Sequence, residues 1–334
     1  MQVPVLSPLT RAINRNHRLD GRCFDQATPF GPPAGRYRTV HYGVMVPGLP
    51  PPLRFMNVIA VIGQPRIPIW RNGHLVETTP ADTVSLLTAT GAPGGARHVG
   101  LSAAEDCDLA ADGSRLRFGD EVEITGAFPD YRVRRPDPGT GFDLRLTASR
   151  TVSHFAHLAG GLYDHWSLLC RYAGTFRLGG IDLPAAGLAN LEYARGADIA
   201  LPLRAFTYQI VDVDDRTQVL FGRVLGPARS RLQHEVYVRS LDEPSRLHRT
   251  GVRSEVLEYE SAPRRTPDGR PMRLPVRFRW SADGAGHRPL VRVEGTATGD
   301  WAYGMAAGYA GSFDWTGTFT GKEVGGTGYI EWIG

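Results

Sequence analysis

Tyr172-Ala173-Gly174-Thr175-Phe176 returns later in the chain as Tyr309-Ala310-Gly311-Ser312-Phe313. About one strand further on, Gly187 precedes Leu191-Glu192-Tyr193, and Gly326 precedes Ile330-Glu331-Trp332 by the same interval. Upstream, Asp164-His165-Trp166 stands loosely against Gly299-Asp300-Trp301. Matches in one order, at an offset of roughly 138 residues, mark a duplicated unit of domain size. The stretch Arg195 to Pro202 separates the copies, which places one β unit at residues 1–195 and a second at 196–334.

Outward from the repeat, apolar residues recur at every second position. Tyr37 to Val46 reads as a strand ended by Pro47-Gly48-Leu49-Pro50. Leu53 to Ile62 is so continuously apolar that both of its faces are expected to be covered. Leu116 and Phe118 alternate with Arg115 and Arg117 after the turn signal Asp112-Gly113, and Phe142, Leu144 and Leu146 alternate with Asp143 and Arg145. Phe206 to Val211, Val219 to Leu225, Glu255 to Glu260, Leu274 to Trp280 and Leu290 to Thr296 continue the series. Only Thr79-Pro80-Ala81-Asp82 reads as a helix start, for one short turn. The 40 glycines and 25 prolines are scattered between these runs, as turns between many short strands require. The expected fold class is all-β, with two antiparallel β-barrel halves related by the repeat.

Composition narrows the function. Apolar residues make up 42% of the 334 and charged residues 22%, the balance of an ordinary globular protein. The net charge of +4 is small, and arginines alternate with apolar residues, as in Arg277-Phe278-Arg279-Trp280, instead of forming a basic tail or helix. Nucleic acid is therefore not an expected partner. Cys23, Cys107 and Cys170 are odd in number and far apart, which points to free, largely buried thiols and a cytoplasmic setting. Met1 to Asn16 carries no apolar leader core, and no apolar run is long enough to span a bilayer.

The closing segment Gly326-Thr327-Gly328-Tyr329-Ile330-Glu331 resembles the terminal signature of AttH-like proteins and bacterial carotenoid 1,2-hydratases (hydroxyneurosporene synthases), a glycine pair followed by an aromatic-aliphatic-Glu strand. Tyr163-Asp164-His165-Trp166 is similar to the aromatic-Asp-x-aromatic motif that ends their first half, with Tyr163 in place of the usual Trp and a departure after Trp166. The resemblance implies two lipocalin-like barrels with a ligand space near their junction. It further implies a cofactor-independent activity on an apolar polyketide- or terpenoid-like molecule. That activity is either hydration of a double bond or intramolecular cyclisation, as in the lipocalin-like cyclases (Diels-Alderases) of natural-product pathways. Asp164 is the acid that the resemblance implies.

The residues themselves offer several candidates. A carboxyl beside aromatic rings in an apolar pocket stays protonated near neutrality, so Asp164 is a candidate proton donor with His165 as its catalytic partner. The competing reading makes Asp164 a turn cap and Trp166 a core residue. His154, His157 and His165 lack closed zinc spacing, because His154 and His157 fall on opposite faces of a strand. His154 is kept as a pocket residue, and no metal is expected. Glu192 and Glu331, at matching repeat positions, read as structural, each paired with an arginine at a strand edge, Arg195 in the first copy. Tyr163, Trp166, Trp280, Trp301, Tyr309 and Trp315 form the candidate aromatic wall for substrate, able to stabilise a passing carbocation.

Gly317 to Lys322 is one residue short of a phosphate loop. There is no GxGxxG or GxSxG motif, and Asp212, Asp214 and Asp215 lack the rest of a calcium loop. No organic cofactor is expected. A non-catalytic carrier of an apolar small molecule is the alternative to an enzyme, and a scaffold with a filled interior is the third reading.

Overall fold

The computed structural model describes residues 13–64 and 66–334, so the expectation for Met1 to Asn16 falls largely outside the described residues. The helices that lie wholly within the described residues are 3-10 turns of three or four residues. None is long and apolar enough to cross a membrane. The rest is antiparallel sheet. One sheet of 11 strands runs from Tyr37–Val46 to Ile181–Ala197, and one of 10 strands from Ala205–Asp212 to Lys322–Ile333. Each sheet curls into a barrel or half-barrel. In both, the first strand is hydrogen-bonded to the last.

Alternation explains where the core sits. On Met56–Ile62, the residues Val58, Ala60 and Ile62 point into the first barrel, while Ile59 and Val61 point into a seam against the second sheet. That is why the run is apolar without a break. On Tyr37–Val46, Tyr42 and Val44 likewise enter the barrel, and Met45 enters the seam. The second barrel has its own interior, built on Phe221, Phe278, Phe313 and Trp315. The seam core draws on both halves, setting Met45, Ile59 and Leu87 against Ile210, Tyr329 and Trp332. Each fully buried Leu, Ile or Phe here contributes about 1.5–3 kcal/mol, so the seam binds the halves firmly.

The repeat is present in topology but not in every register. Tyr172 lies opposite Gly187, whereas Tyr309 lies opposite Trp332 and Gly326 lies opposite Trp315. The cause is hairpin length: the strand ends at Leu178 soon after Phe176, but runs on to Phe319 after Phe313. The two glutamates do occupy corresponding places on the closing strands, Glu192 opposite Gly43 and Glu331 opposite Tyr208. Of the thiols, Cys170 is buried, Cys107 is half-buried and Cys23 is exposed, so the expected burial holds fully only for Cys170.

Candidate active site

The seam contains a cavity of about 440 Å³, within the range of small-molecule sites. Its walls are mostly apolar, including Ile59 and Val61 from the first sheet, Phe206 and Val224 from the second, and Leu201 and Leu203 from the segment between the sheets. Gly222 opens the wall further, since a Cβ there would meet nothing within 4 Å. Among the polar side chains that interrupt the apolar lining are His41, His165, Glu192, Tyr208 and Glu331.

Strand alternation delivers these groups to one place. Ala194 is paired with both His41 and His165, which brings the two histidines alongside one another across the closing strand. Their rings are 5.7 Å apart. Glu192 sits one step along that face, opposite Gly43. A Cβ at Gly43 would lie 3.1 Å from His41 Nε2 and 3.2 Å from Glu192 Cβ, so the glycine leaves the histidine and the glutamate room to pack. From the second sheet, Tyr208 donates its hydroxyl hydrogen to Glu192 Oε1 at 2.8 Å and accepts one from Asn190 Nδ2 at 3.1 Å. Glu331 is held in the same manner: Tyr329 donates to its Oε1 at 2.9 Å and accepts from Asn57 Nδ2 at 3.0 Å. His165 Nε2 is 3.5 Å from Glu192 Oε2 and is buried with no hydrogen-bond partner.

The two carboxyls differ in protonation. Burial, reinforced by the charge of Glu192, pushes Glu331 up to about 8 against the opposing pull of the Tyr329 hydrogen bond. Burial works in the same direction on Glu192, but the adjacent His165, His41 and Tyr208 outweigh it and hold that carboxyl below its ordinary range. Burial, and then the neighbouring His165, lower the His41 imidazole to about 4. Near neutral pH the cavity thus presents one protonated carboxyl, one carboxylate and a neutral imidazole. Pairs whose environments separate their protonation are how acid and base roles are divided.

Of the residues singled out in the sequence, Tyr163 and His165 line the cavity. Tyr163 also stacks on Trp70, with ring centroids 5.6 Å apart. Asp164 takes the other face of the strand, where its carboxylate accepts from His157 Nδ1 at 2.8 Å and from Arg195 at 3.2 Å. The apolar surroundings expected for Asp164 are replaced by an ion pair. Arg195, expected beside Glu192, is the partner of Asp164 instead. Trp166 packs in the first barrel against Phe24 and Tyr193. Trp280 and Trp315 lie inside the second barrel, Trp301 at its border with the seam, and Tyr309 in the seam core. His154 is lowered to about 4 by burial, and its carbonyl accepts from the Tyr237 hydroxyl at 2.8 Å. None of these last residues lines the cavity.

Sequence reasoning missed the roles of His41, Glu192, Tyr208 and Glu331. The available signal was Glu192 between Leu191 and Tyr193, in the stretch Leu188 to Ala194 that is buried throughout. A charged residue enclosed in a core run needs partners inside the protein. His41, His165 and Glu192 also form a trio whose ligand atoms lie within 4.8 Å of one another, and two imidazoles with a carboxylate are donors that a divalent transition ion accepts.

Residues 59–334 match the model of a family of unknown function, DUF6670. The chain belongs to this family. No curated protein sequence matches the DUF6670 chain. In structure it is similar to an AttH protein from Nitrosomonas europaea, with a TM-score of 0.66 and 16% identity over 94% of this chain and 98% of that one. It is also similar to kievitone hydratase from Nectria haematococca, with a TM-score of 0.57 and 10% identity over 99% and 98%. A third similar structure is CghA, with a TM-score of 0.53 and 9% identity over 94% and 96%, which has also been solved with Sch210972. At such identities the likeness establishes the fold of the DUF6670 chain, the lipocalin-like all-β architecture of the AttH type.

Proposed function

We propose that this DUF6670 protein is an acid–base enzyme that hydrates a carbon–carbon double bond in an apolar polyketide- or terpenoid-like molecule held in the seam cavity, without an organic cofactor. The observation that carries this reading is the pair of buried glutamates in one apolar cavity, Glu331 raised to about 8 and Glu192 held below its ordinary range.

In the reaction, Glu331 gives its proton to one alkene carbon while a water oxygen bonds to the other. The proton that the water loses passes to Glu192, with His165 at 3.5 Å able to share it. Glu331 ends ionised and Glu192 protonated, and exchange with solvent restores both. The rings of Trp70 and Tyr163, stacked on one another, supply aromatic surface to the same cavity. A positioned acid or base contributes about 10²–10⁴-fold. Kievitone hydratase shares the fold and supports hydration.

Cyclisation of an enclosed substrate is the second reading, with orientation supplying the acceleration. The structure of CghA with the small molecule Sch210972 favours keeping it. Incubating the protein with extract from its producing organism lacking the gene separates these. Hydration gives a product heavier by one water that Glu331→Gln and Glu192→Gln no longer form. A product of unchanged mass supports cyclisation, and equal yields from wild type and both variants would remove the acid–base reading.

A further inference from the structure

The charges around the cavity are unbalanced in a way that selects its ligand. The carboxyl and imidazole groups lining it are those of His41, His165, Glu192 and Glu331, and none of its described lining residues is lysine or arginine. The arginines nearby lie outside the lining. Arg239, fully buried, donates to the neutral Ser167 Oγ at 2.9 Å and to Gln218, and its Nε has no partner. Arg249 is paired with Glu235, and Arg195 with Asp164. An anionic headgroup entering the seam would therefore lose its water, face the Glu192 carboxylate and find no lysine or arginine in the lining to pair with, a combination that strongly disfavours burial of charge.

The strand register also gives the ligand a direction. Glu331 lies opposite Tyr208, and two residues further along the same pair Ile333 lies opposite Phe206. Phe206 is paired in turn with Val224. The apolar lobe formed by Phe206, Val224 and Leu232, with Leu201 and Leu203 from the connecting segment, thus leads away from the glutamates.

We infer that the cavity takes an uncharged, mainly apolar molecule with a hydrogen-bond acceptor at its glutamate end, and rejects carboxylates and phosphates of the same size. This rests on the cavity being the substrate site, but not on any reaction occurring there. Farnesol and farnesyl phosphate, both below their micellar concentrations, are suitable matched probes, read by quenching of tryptophan fluorescence near neutral pH. Trp70 in the wall is the expected reporter. Farnesol should bind at least tenfold more tightly than farnesyl phosphate. Gly222→Leu, which fills space where a Cβ meets nothing within 4 Å, should abolish farnesol binding and leave the melting temperature nearly unchanged. Glu192→Gln should narrow the gap between the two probes. Equal or tighter binding of the phosphate overturns the inference and would point to a cation held by His41, His165 and Glu192. Absence of farnesol binding, or binding that Gly222→Leu does not touch, overturns it too. Farnesol selectivity without any product from the extract would remove the hydratase reading and leave this inference standing.

Discussion

Tyr208 crosses the seam to donate to Glu192 at 2.8 Å while lying directly opposite Glu331 on the neighbouring strand of its own sheet. One phenol of the second half thereby holds the carboxylate of the first, on the strand next to the protonated carboxyl of Glu331. Removing that hydroxyl in Tyr208→Phe leaves a buried acceptor without its donor, at a cost of about 1–3 kcal/mol. Glu192 should then titrate higher, and the rising limb of the activity profile should move to higher pH. A pH profile of kcat together with urea unfolding measures both effects, whereas a purely structural hydroxyl would change only the second.

Glu331 gives the protein a stability that depends on pH. Its folded value of about 8 stands above the ordinary 4.5. The native state therefore keeps a proton that the unfolded chain releases, and stability falls as pH rises from about 4.5 to about 8 before levelling off. His41 acts in the opposite sense, since its value of about 4 lies below the ordinary 6.5 and stability is lost as pH falls through that interval. Asp212, raised to about 7 chiefly by burial, adds a further decline with pH that ends near 7. Between about 7 and 8 the decline due to Glu331 stands apart from both, and Glu331→Gln should flatten it. In the wild type, activity should fall on the alkaline side as Glu331 loses its proton near 8, and Glu331→Gln should be inactive at every pH. Unfolding midpoints at several pH values test the first point, and turnover at the same values tests the second.

Gly43 is where sterics govern the site. A methyl group in Gly43→Ala would sit 3.1 Å from His41 Nε2 and 3.2 Å from Glu192 Cβ, forcing small shifts in both. Overpacking of this kind costs about 1–3 kcal/mol. The expected result is a folded protein with a lowered melting temperature and a larger relative loss in kcat than in stability. Calorimetry and kinetics on one preparation check this.

Asp164 has a structural role, bonded to His157 and Arg195. Asp164→Asn should keep turnover within a few-fold of wild type, because the side chain lies on the strand face away from His165. It should also cost about 1–3 kcal/mol through the weakened bonds to Arg195 and His157. A loss of turnover of 10²-fold or more would return Asp164 to the acid role that the family resemblance implies.

The fold was readable because period-two patterning reports burial directly. Tyr37 to Val46 emerges with the bounds read from the sequence, and the unbroken run ending at Ile62 is covered on both faces as expected. The site was less readable, because it lies between two barrels. Which residues meet there depends on the packing of one sheet against the other, and local patterning carries no record of that. Tyr208 and Glu192 touch only across the seam. The aromatic residues Trp280 and Trp315 looked like a cavity wall but fill the second barrel. The matching glutamates are visible in the sequence and their burial is not, since strand alternation alone does not say whether the second face of a strand meets water or another sheet.

The most direct test of the acid–base account is the extract incubation carried out in water labelled with oxygen-18. The account predicts a product heavier by one labelled water, formed by wild type and by Asp164→Asn, and lost with Glu331→Gln. A product without the label, or one formed equally well by Glu331→Gln, would contradict it.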